Sequence, residues 1–448
     1  MKLKFLGAAG TVTGSSYVLT SGTGESILID LGMFQGTQDL DALNYQPYDY
    51  DPSKLLGAVL THAHLDHCGR LPILSSHGYK GNIWMTEATA ELTELSLLDS
   101  AKIAEQNNAH ALYDTDLAVR TINRFNVTNY HKPVEIGNFQ INFFDAGHIL
   151  GSASLEIIDK ASDAEIKKIV FSGDLGNTPE DLVKSTEYLS DADVVVMEST
   201  YGDRFHPEED SSKIIQDEIN AVEQSNSTLL IPAFSLDRTQ EILHKIKHLK
   251  GEGKIDPSTP VYLDGPMAQK ATVIYMEHSE LFNDHIQNEM RSGPFEFPGL
   301  VVVRSHDESQ RLQSGNGAQV IIAGSGMMTG GRIIGHAAYF LPHAENRLLI
   351  VGYQGEETLG RELLEGAKDV VIEGEQVHVA ASVNSTRAMS SHADQGQLID
   401  WLGHIKNVKK LFLTHGEDEP RTVLKGKVEE QLGIKDISLP KLNEEISL

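Results

Sequence analysis

The chain has 448 residues, more than one ordinary domain requires, so two domains are the expectation. Its 37 basic and 64 acidic residues leave a formal charge of −27, which argues against nucleic acid as a partner unless a local cationic site sits within an acidic exterior. There is no apolar run of about eighteen residues, which excludes a membrane helix, and the single cysteine, Cys68, excludes an internal disulfide. The first residues lack the apolar core of a signal peptide, and with one cysteine this gives a cytoplasmic expectation.

In chain order, short strand patterns cover residues 2–6, 15–20 and 26–30, separated by glycine turns. Asp30 closes the third. An aspartate there either caps a turn or accepts a hydrogen bond from a metal-bound histidine. The apolar run 55–60 then leads into Thr61-His62-Ala63-His64-Leu65-Asp66-His67-Cys68-Gly69, which places His62, His64, Asp66 and His67 within six residues. Imidazole and carboxylate suit zinc, iron or manganese. His62 and His64 flank a small residue and can face one point from a tight turn. Asp66 and His67 point elsewhere, toward a second ion. Cys68 reads as a small packed residue rather than a ligand.

From residue 86 to about 123 the spacing of Leu92, Leu95, Leu98 and Ile103 is helical. Strand patterns follow at 139–144, 153–158, 169–172 and 194–197. Strands and helices then alternate: 228–231, a helix from Asp237, 261–263, a helix from Met267, 300–303, 320–323 and a helix near Arg332. Such alternation predicts βαβ units and a parallel sheet. The last stretch has strand patterns at 377–380 and 410–414 with a helix after Asp394 between them. Five apolar runs each deliver a ligand-type side chain at their C-terminal end: His62, His148, Asp174, Glu198 and His415. In open α/β sheets that edge is where ligands gather, so the five are expected to converge on one site.

These residues carry a family resemblance. Thr61-His62-Ala63-His64-Leu65-Asp66-His67, Gly147-His148 and Ser172-Gly173-Asp174-Leu175-Gly176 resemble the signature of the metallo-β-lactamase superfamily. The resemblance implies a four-layered αββα sandwich binding two metals. His62, His64 and His148 would hold one; Asp66, His67 and a further histidine, read as His415, the other; Asp174 would bridge both. Zinc is the expected metal, because the di-iron branch usually has glutamate where this chain has His64; manganese and iron are the alternatives. Residues 197–204, 232–241, 323–332 and 352–355 are similar to stretches of the β-CASP group of nucleic-acid-processing members. Ser391-His392-Ala393-Asp394 and Thr414-His415-Gly416-Glu417 match its late histidine motifs. A histidine at the position of His415 is typical of the RNA-directed enzymes of that group.

The resemblance therefore implies a metallo-β-lactamase domain built from residues 1–198 and 379–448, interrupted by an α/β β-CASP domain at 199–378, with RNA as substrate in the groove between them. Neither N-terminal KH modules nor an extended C-terminal domain is read in the sequence, so partner binding of the kind those parts supply in close relatives is not expected. A homodimer stays open. The implied reaction is hydrolysis of RNA phosphodiester bonds by a hydroxide held on the two metals, with Asp66 in the catalytic set. His392 would be the proton donor to the leaving oxygen, oriented by Glu198. Ser325 and Gly326, ahead of a helical pattern, would offer backbone N–H groups to a neighbouring phosphate, with Arg238 and Arg332 adding contacts. Without the resemblance, Glu198 reads as a helix-start residue, His392 as a loop residue and the arginines as solvated. Two alternatives are a small-ester or thioester hydrolase of the same fold and a catalytically inactive RNA-binding scaffold. Scaffolds lose ligands, whereas all seven positions here hold competent side chains.

Overall fold

The computed structural model describes residues 1–47, 49–106, 111–161, 165–179, 182–315 and 317–448. The chain divides into two compact units, Met1–Phe205 with Ser391–Leu448, and His206–Ser390. The first unit is thus discontinuous in sequence, with the second inserted into it.

Two seven-stranded sheets form the first unit. One has the order Glu445–Ser447, Lys2–Phe5, Ser16–Thr20, Ser26–Leu31, Gly57–Val59, Asn82–Thr86, Phe125–Thr128. The other runs Ile437–Ser438, Lys410–Leu413, Val194–Met197, Lys168–Phe171, Ala153–Asp159, Phe139–Asp145, Val134–Ile136. The period-two alternation of strand side chains decides the layering. Ile27 and Ile29 join a core with Ile169, Phe171, Val194, Val196 and Phe412 from the facing sheet. Leu28, between them in sequence, points the other way and packs with Leu71, Leu74, Leu97 and Ala118 of the helices Leu71–Ser76, Glu87–Gln106 and Thr115–Ile122. Val170 and Val195 likewise face outward against Leu398, Trp401, Leu424 and Val428 of the helices Gln395–Gly403 and Asp418–Gln431. Both sheets are therefore buried on both faces, and the unit is the expected αββα sandwich. Phe5 and Phe412 seal its centre with ring centroids 5.0 Å apart, and Tyr17 and Phe171 do so at 5.5 Å.

Strand direction in the second sheet decides where its chemical groups emerge. Lys410–Leu413, Val194–Met197 and Lys168–Phe171 are mutually parallel. Ala153–Asp159 is antiparallel to both its neighbours, so Phe139–Asp145 runs with the parallel three. Four strands therefore end along one edge.

The helical stretch expected over residues 86–123 is two helices, Glu87–Gln106 and Thr115–Ile122. Asp114 starts the second by accepting from the Leu117 N–H, a side-chain cap at its N-terminus. Residues 107–110 lie outside the described set. Among the described residues no helix is long and apolar enough to cross a membrane.

The second unit has a six-stranded, all-parallel sheet in the order Leu300–Val302, Val261–Asp264, Gln319–Ala323, Thr228–Pro232, Arg347–Ile350, Ser382–Ser385. Its central strands Gln319–Ala323 and Thr228–Pro232 are buried throughout, as a sheet covered by helices requires. One face packs on Ile333, Ala337, Phe340 and Leu363.

Replacing Phe412, fully buried between the two sheets of the first unit, by alanine is expected to cost roughly 3–5 kcal/mol, the usual range for a buried phenylalanine. Urea unfolding of Phe412→Ala, followed through the buried Trp401, measures this.

Candidate metal centre

The edge where four parallel strands end carries four of the chemical groups. Residues following Phe139–Asp145 reach His148, those following Lys168–Phe171 reach Asp174, Val194–Met197 abuts Glu198, and Lys410–Leu413 is followed by Thr414 and His415. From the other sheet, Gly57–Val59 leads to His62 and His64 and then to the single-turn helix Leu65–Cys68, which presents Asp66 and His67. Close backbone packing fixes that turn. A Cβ on Gly32 would fall 1.5 Å from the Asp66 carbonyl oxygen, so only glycine lets the strand end pass beneath the loop.

The side chains resolve into two sets around one carboxylate. His62 Nε2 and His148 Nε2 each lie 3.2 Å from His64 Nδ1. The same two nitrogens stand 3.4 and 3.7 Å from Asp174 Oδ2. On the other side, Asp174 Oδ1 faces His67 Nε2 at 3.3 Å and His415 Nε2 at 3.7 Å. Asp66 Oδ2 completes that set, 3.3 Å from His415 Nε2 and 3.9 Å from His67 Nε2. A tetrahedral ion with bonds of ~2.0–2.1 Å spaces its ligand atoms by roughly 3.3 Å, so both sets have the dimensions of a metal's coordination shell. The buried His67 Nε2 and both Asp174 oxygens make no hydrogen bond. A buried carboxylate with neither oxygen satisfied is costly, and a cation on each side relieves it. The donor set thus fits metal ions.

Backbone and hydroxyl groups orient the rings. His148 Nδ1–H donates to the Ser391 carbonyl at 3.1 Å. The Thr61 hydroxyl donates to Asp30 Oδ2 at 2.8 Å, so it accepts from His62 Nδ1 at 3.1 Å. The Thr200 hydroxyl donates to the His415 carbonyl at 3.2 Å and accepts from His415 Nδ1 at 3.1 Å. These contacts leave the Nε2 lone pair of each ring directed into the centre. Asp30 accepts from His67 Nδ1 at 2.8 Å and from the Thr61 N–H at 2.8 Å, contacts that place it behind the His67 ring. Asp30 and His415 both have left-handed backbone, φ 53° and 45°. Such strain in a non-glycine residue persists where surrounding structure holds it, here through His415 N–H donating to the Ala8 carbonyl at 2.7 Å.

Titration follows from burial and from these neighbours. Burial drives His62 and His148 well below the ordinary histidine range and His64 to about 4, so all three are neutral donors. Burial acts to raise the Asp66 carboxyl, but the His415 hydrogen bond and the His67 charge bring it to about 2. His67 is the exception. Burial would lower it, yet Asp174 and Asp30 on its two sides raise it well above the ordinary value.

Beside the two sets, His392 Nδ1 lies 3.3 Å from both oxygens of the buried Glu198. Glu198 Oε1 also accepts from the Leu175 N–H at 2.6 Å. The ring of His392 is 4.6 Å from that of His148 and 5.7 Å from that of His415. It precedes a helix whose N-cap, Asp394, forms a capping box with Gln397, which fixes the loop carrying it. Burial would depress the His392 ring; the Glu198 charge, with Asp174 and Asp66 beyond it, outweighs this and pushes it up to about 9.

The remaining sequence candidates lie in the second unit. Arg332 is paired with Asp264 and also donates to the Val303 carbonyl. Arg238 is buried and paired with Glu241. The Ser325 hydroxyl accepts from the Thr329 N–H at 2.9 Å, and its own N–H donates to the Gly330 carbonyl at 3.2 Å. A Cβ on Gly326 would fall 2.6 Å from the Phe234 ring, so close packing accounts for that glycine. Cys68 is buried and donates its S–H to the Ala63 carbonyl, in keeping with a packed residue. Thr61, Thr200 and the Ser391 carbonyl are supports that sequence reasoning did not single out. The first has a signal in its place next to His62; a backbone carbonyl has none.

A sandwich with this bipartite cluster at its strand ends defines a metallo-hydrolase. Comparison with known proteins agrees. Residues 9–213 match the metallo-beta-lactamase superfamily, 239–363 the Beta-Casp domain, and 376–440 the Zn-dependent metallo-hydrolase RNA specificity domain. The chain is 35% identical over 447 residues to Ribonuclease TTHA0252 of Thermus thermophilus, covering 99% of each. It is 31% identical to RNase aCSPSF2 of Saccharolobus solfataricus, over 100% of this chain and 85% of that one. To Transcription termination factor FttA of Methanosarcina mazei it is 29% identical, over 96% of this chain and 69% of that one. A crystal structure of a protein of unknown function from Enterococcus faecalis shares the fold with a TM-score of 0.56 at 12% identity, covering 100% of this chain and 99% of that one. The chain belongs to the β-CASP family of the metallo-β-lactamase superfamily.

Substituting Asp30→Asn keeps the shape and every ligand but removes the charge behind His67. It is expected to weaken retention of one ion about 10- to 100-fold, measured by competition with a chromogenic chelator.

Proposed function

We propose that the chain is a ribonuclease that hydrolyses RNA phosphodiester bonds with two zinc ions. His62, His64, His148 and Asp174 would hold one ion, and Asp66, His67, His415 and Asp174 the other. The observation that carries the reading is Asp174, whose two oxygens each face a separate ligand set. The relatives named as ribonucleases and the match to an RNA specificity domain support RNA as the substrate class.

When bound, two such ions supply a nucleophile from water at neutral pH and neutralise charge on the phosphate. The chain's own residues do the rest. The three neutral imidazoles of the first set and the carboxylates of the second fix where the cations lie. Glu198 holds His392 by its Nδ1–H and stabilises the imidazolium. His392 then carries a second proton, at Nε2, which it gives to the leaving oxygen as the phosphodiester bond breaks. The Leu175 N–H on Glu198 keeps the carboxylate from rotating away.

The deciding experiment incubates the zinc-loaded chain with labelled single-stranded RNA, the same sequence as DNA, and a thioester. RNA cleavage lost on chelation is expected; turnover of the thioester alone would replace the proposal with a small-molecule hydrolase.

His392→Ala is expected to keep its metal while cleavage falls about 10²- to 10⁴-fold, the usual contribution of a general acid; stoichiometry and single-turnover rates read the two separately. Because the His392 ring is raised, its acid form is present at low pH and lost as pH rises through its folded value. Glu198→Gln removes the charge that raises it, so the alkaline limb of the rate profile should move to lower pH.

A further inference from the structure

Four side chains in the second unit stand apart from this chemistry. The helix Arg238–Gly251 carries His244 and His248, and the short helix Asp284–Glu289 carries His285 and Glu289. Each pair is spaced by four residues, which places both members on one helical face. The two faces meet. His244 Nε2 lies 3.0 Å from His248 Nε2. Glu289 Oε1 is 2.9 Å from His248 Nε2 and 3.2 Å from His285 Nε2. His244 Nε2 is 3.6 Å from Glu289 Oε2. One ligand atom from each of the four lies within 4.8 Å of the other three.

We propose that His244, His248, His285 and Glu289 form a separate site for a divalent transition-metal ion, one that clamps the segment around Asp284–Glu289 to the long helix.

The separations are close to the ~3.3 Å spacing of ligand atoms around a tetrahedral ion. Three imidazoles with one carboxylate are a borderline donor set, which selects zinc over magnesium or calcium. Four protein ligands close the shell, which is the pattern of a structural rather than a catalytic ion. Lys247 Nζ donates to Glu289 Oε2 at 2.9 Å and to Ser292 Oγ at 3.0 Å, and His248 Nε2 lies 3.1 Å from the same Glu289 oxygen, so the carboxylate is held beside the histidines. His244 is buried while His285 is 72% exposed, so the cluster has a fixed floor and an open entry from solvent. The energetic need is visible in the short elements. Ser279–Leu281, Asp284–Glu289 and Met290–Ser292 are helical turns of three to six residues. Helices of that length are unstable alone and draw their order from tertiary ties. A metal bound only by the folded arrangement adds its binding free energy to that order.

The test uses the full chain. Native protein and the double variant His248→Ala/His285→Ala are loaded with zinc, desalted and analysed for metal per chain. The variant is expected to hold one ion fewer, whatever the content of the centre in the first unit; equal contents overturn the proposal. A second reading guards against altered folding. Zinc added to stripped native protein should slow hydrogen exchange in residues 279–292, with His285→Ala alone, a change at an exposed position, reducing the protection. Protection unchanged by zinc in the native chain likewise overturns it, and leaves the four side chains as an ion-pair cluster around Glu289.

Discussion

A carboxylate buried to 1% exposure with neither oxygen hydrogen-bonded is the constraint on which the first unit turns. Asp174 sits where the two sheets bring the histidine-bearing strand ends and loops together, and Asp66, Asp30 and Glu198 add three more carboxyl groups nearby. In a protein interior this concentration of acid is tolerable only with positive charge interleaved. The chain supplies part of it through His67, whose affinity for a proton Asp174 and Asp30 raise. The rest of the demand is what makes the site a receptor for cations. Stability and metal binding are therefore the same problem here: the apolar sandwich provides the rigidity, and the cluster at its edge stays acceptable because an ion completes it.

Much of this was legible in sequence because the signals were dense or local. His62, His64, Asp66 and His67 lie within one short stretch. The runs ending at Asp174, Glu198 and His415 are short and apolar, and so read as buried strands. The four layers came only with the family resemblance, because residues 27–29 and 194–196 are apolar throughout and do not say which side chain faces which layer. Their order in the sheet was not legible, since Lys410–Leu413 pairs beside Val194–Met197 across some two hundred intervening residues and no local pattern encodes that pairing. The break between Glu87–Gln106 and Thr115–Ile122 was also missed, although no leucine falls between Leu98 and Leu112 and Asp114 caps the start of the second helix. Residues such as Val134–Ile136 and Ile437–Ser438 are too short to stand out from loops and are strands only because a neighbour pairs with them.

The arginines illustrate a different limit. Arg238 and Arg332 were candidates for phosphate contact by motif, and sequence could not say what else would claim them. Arg332 is paired with Asp264 at the end of a parallel strand, and Arg238 with Glu241 one turn along its own helix. In a chain of net charge −27 such pairing is the expected fate of a cation, because carboxylates outnumber basic groups. A polyanionic substrate then finds little long-range attraction, and its binding falls to short-range contacts and to the charge of bound metal.

The two histidine clusters show how secondary structure sets the precision of a site. Strand ends of the second sheet deliver one ligand each and the loop after Gly57–Val59 delivers four, so the first centre needs several chain segments, a glycine at position 32 to let the backbone pass Asp66, and left-handed backbone at Asp30 and His415. Helices deliver two ligands per element through four-residue spacing, so the second cluster needs only two elements and no strained backbone among its four residues. The first arrangement concentrates rigidity and charge where a reacting group would have to be held to within a fraction of an ångström. The second asks only that two helices stay adjacent. That difference in construction, visible without any bound ion, is why chemistry is assigned to the strand ends and a clamp to the helices.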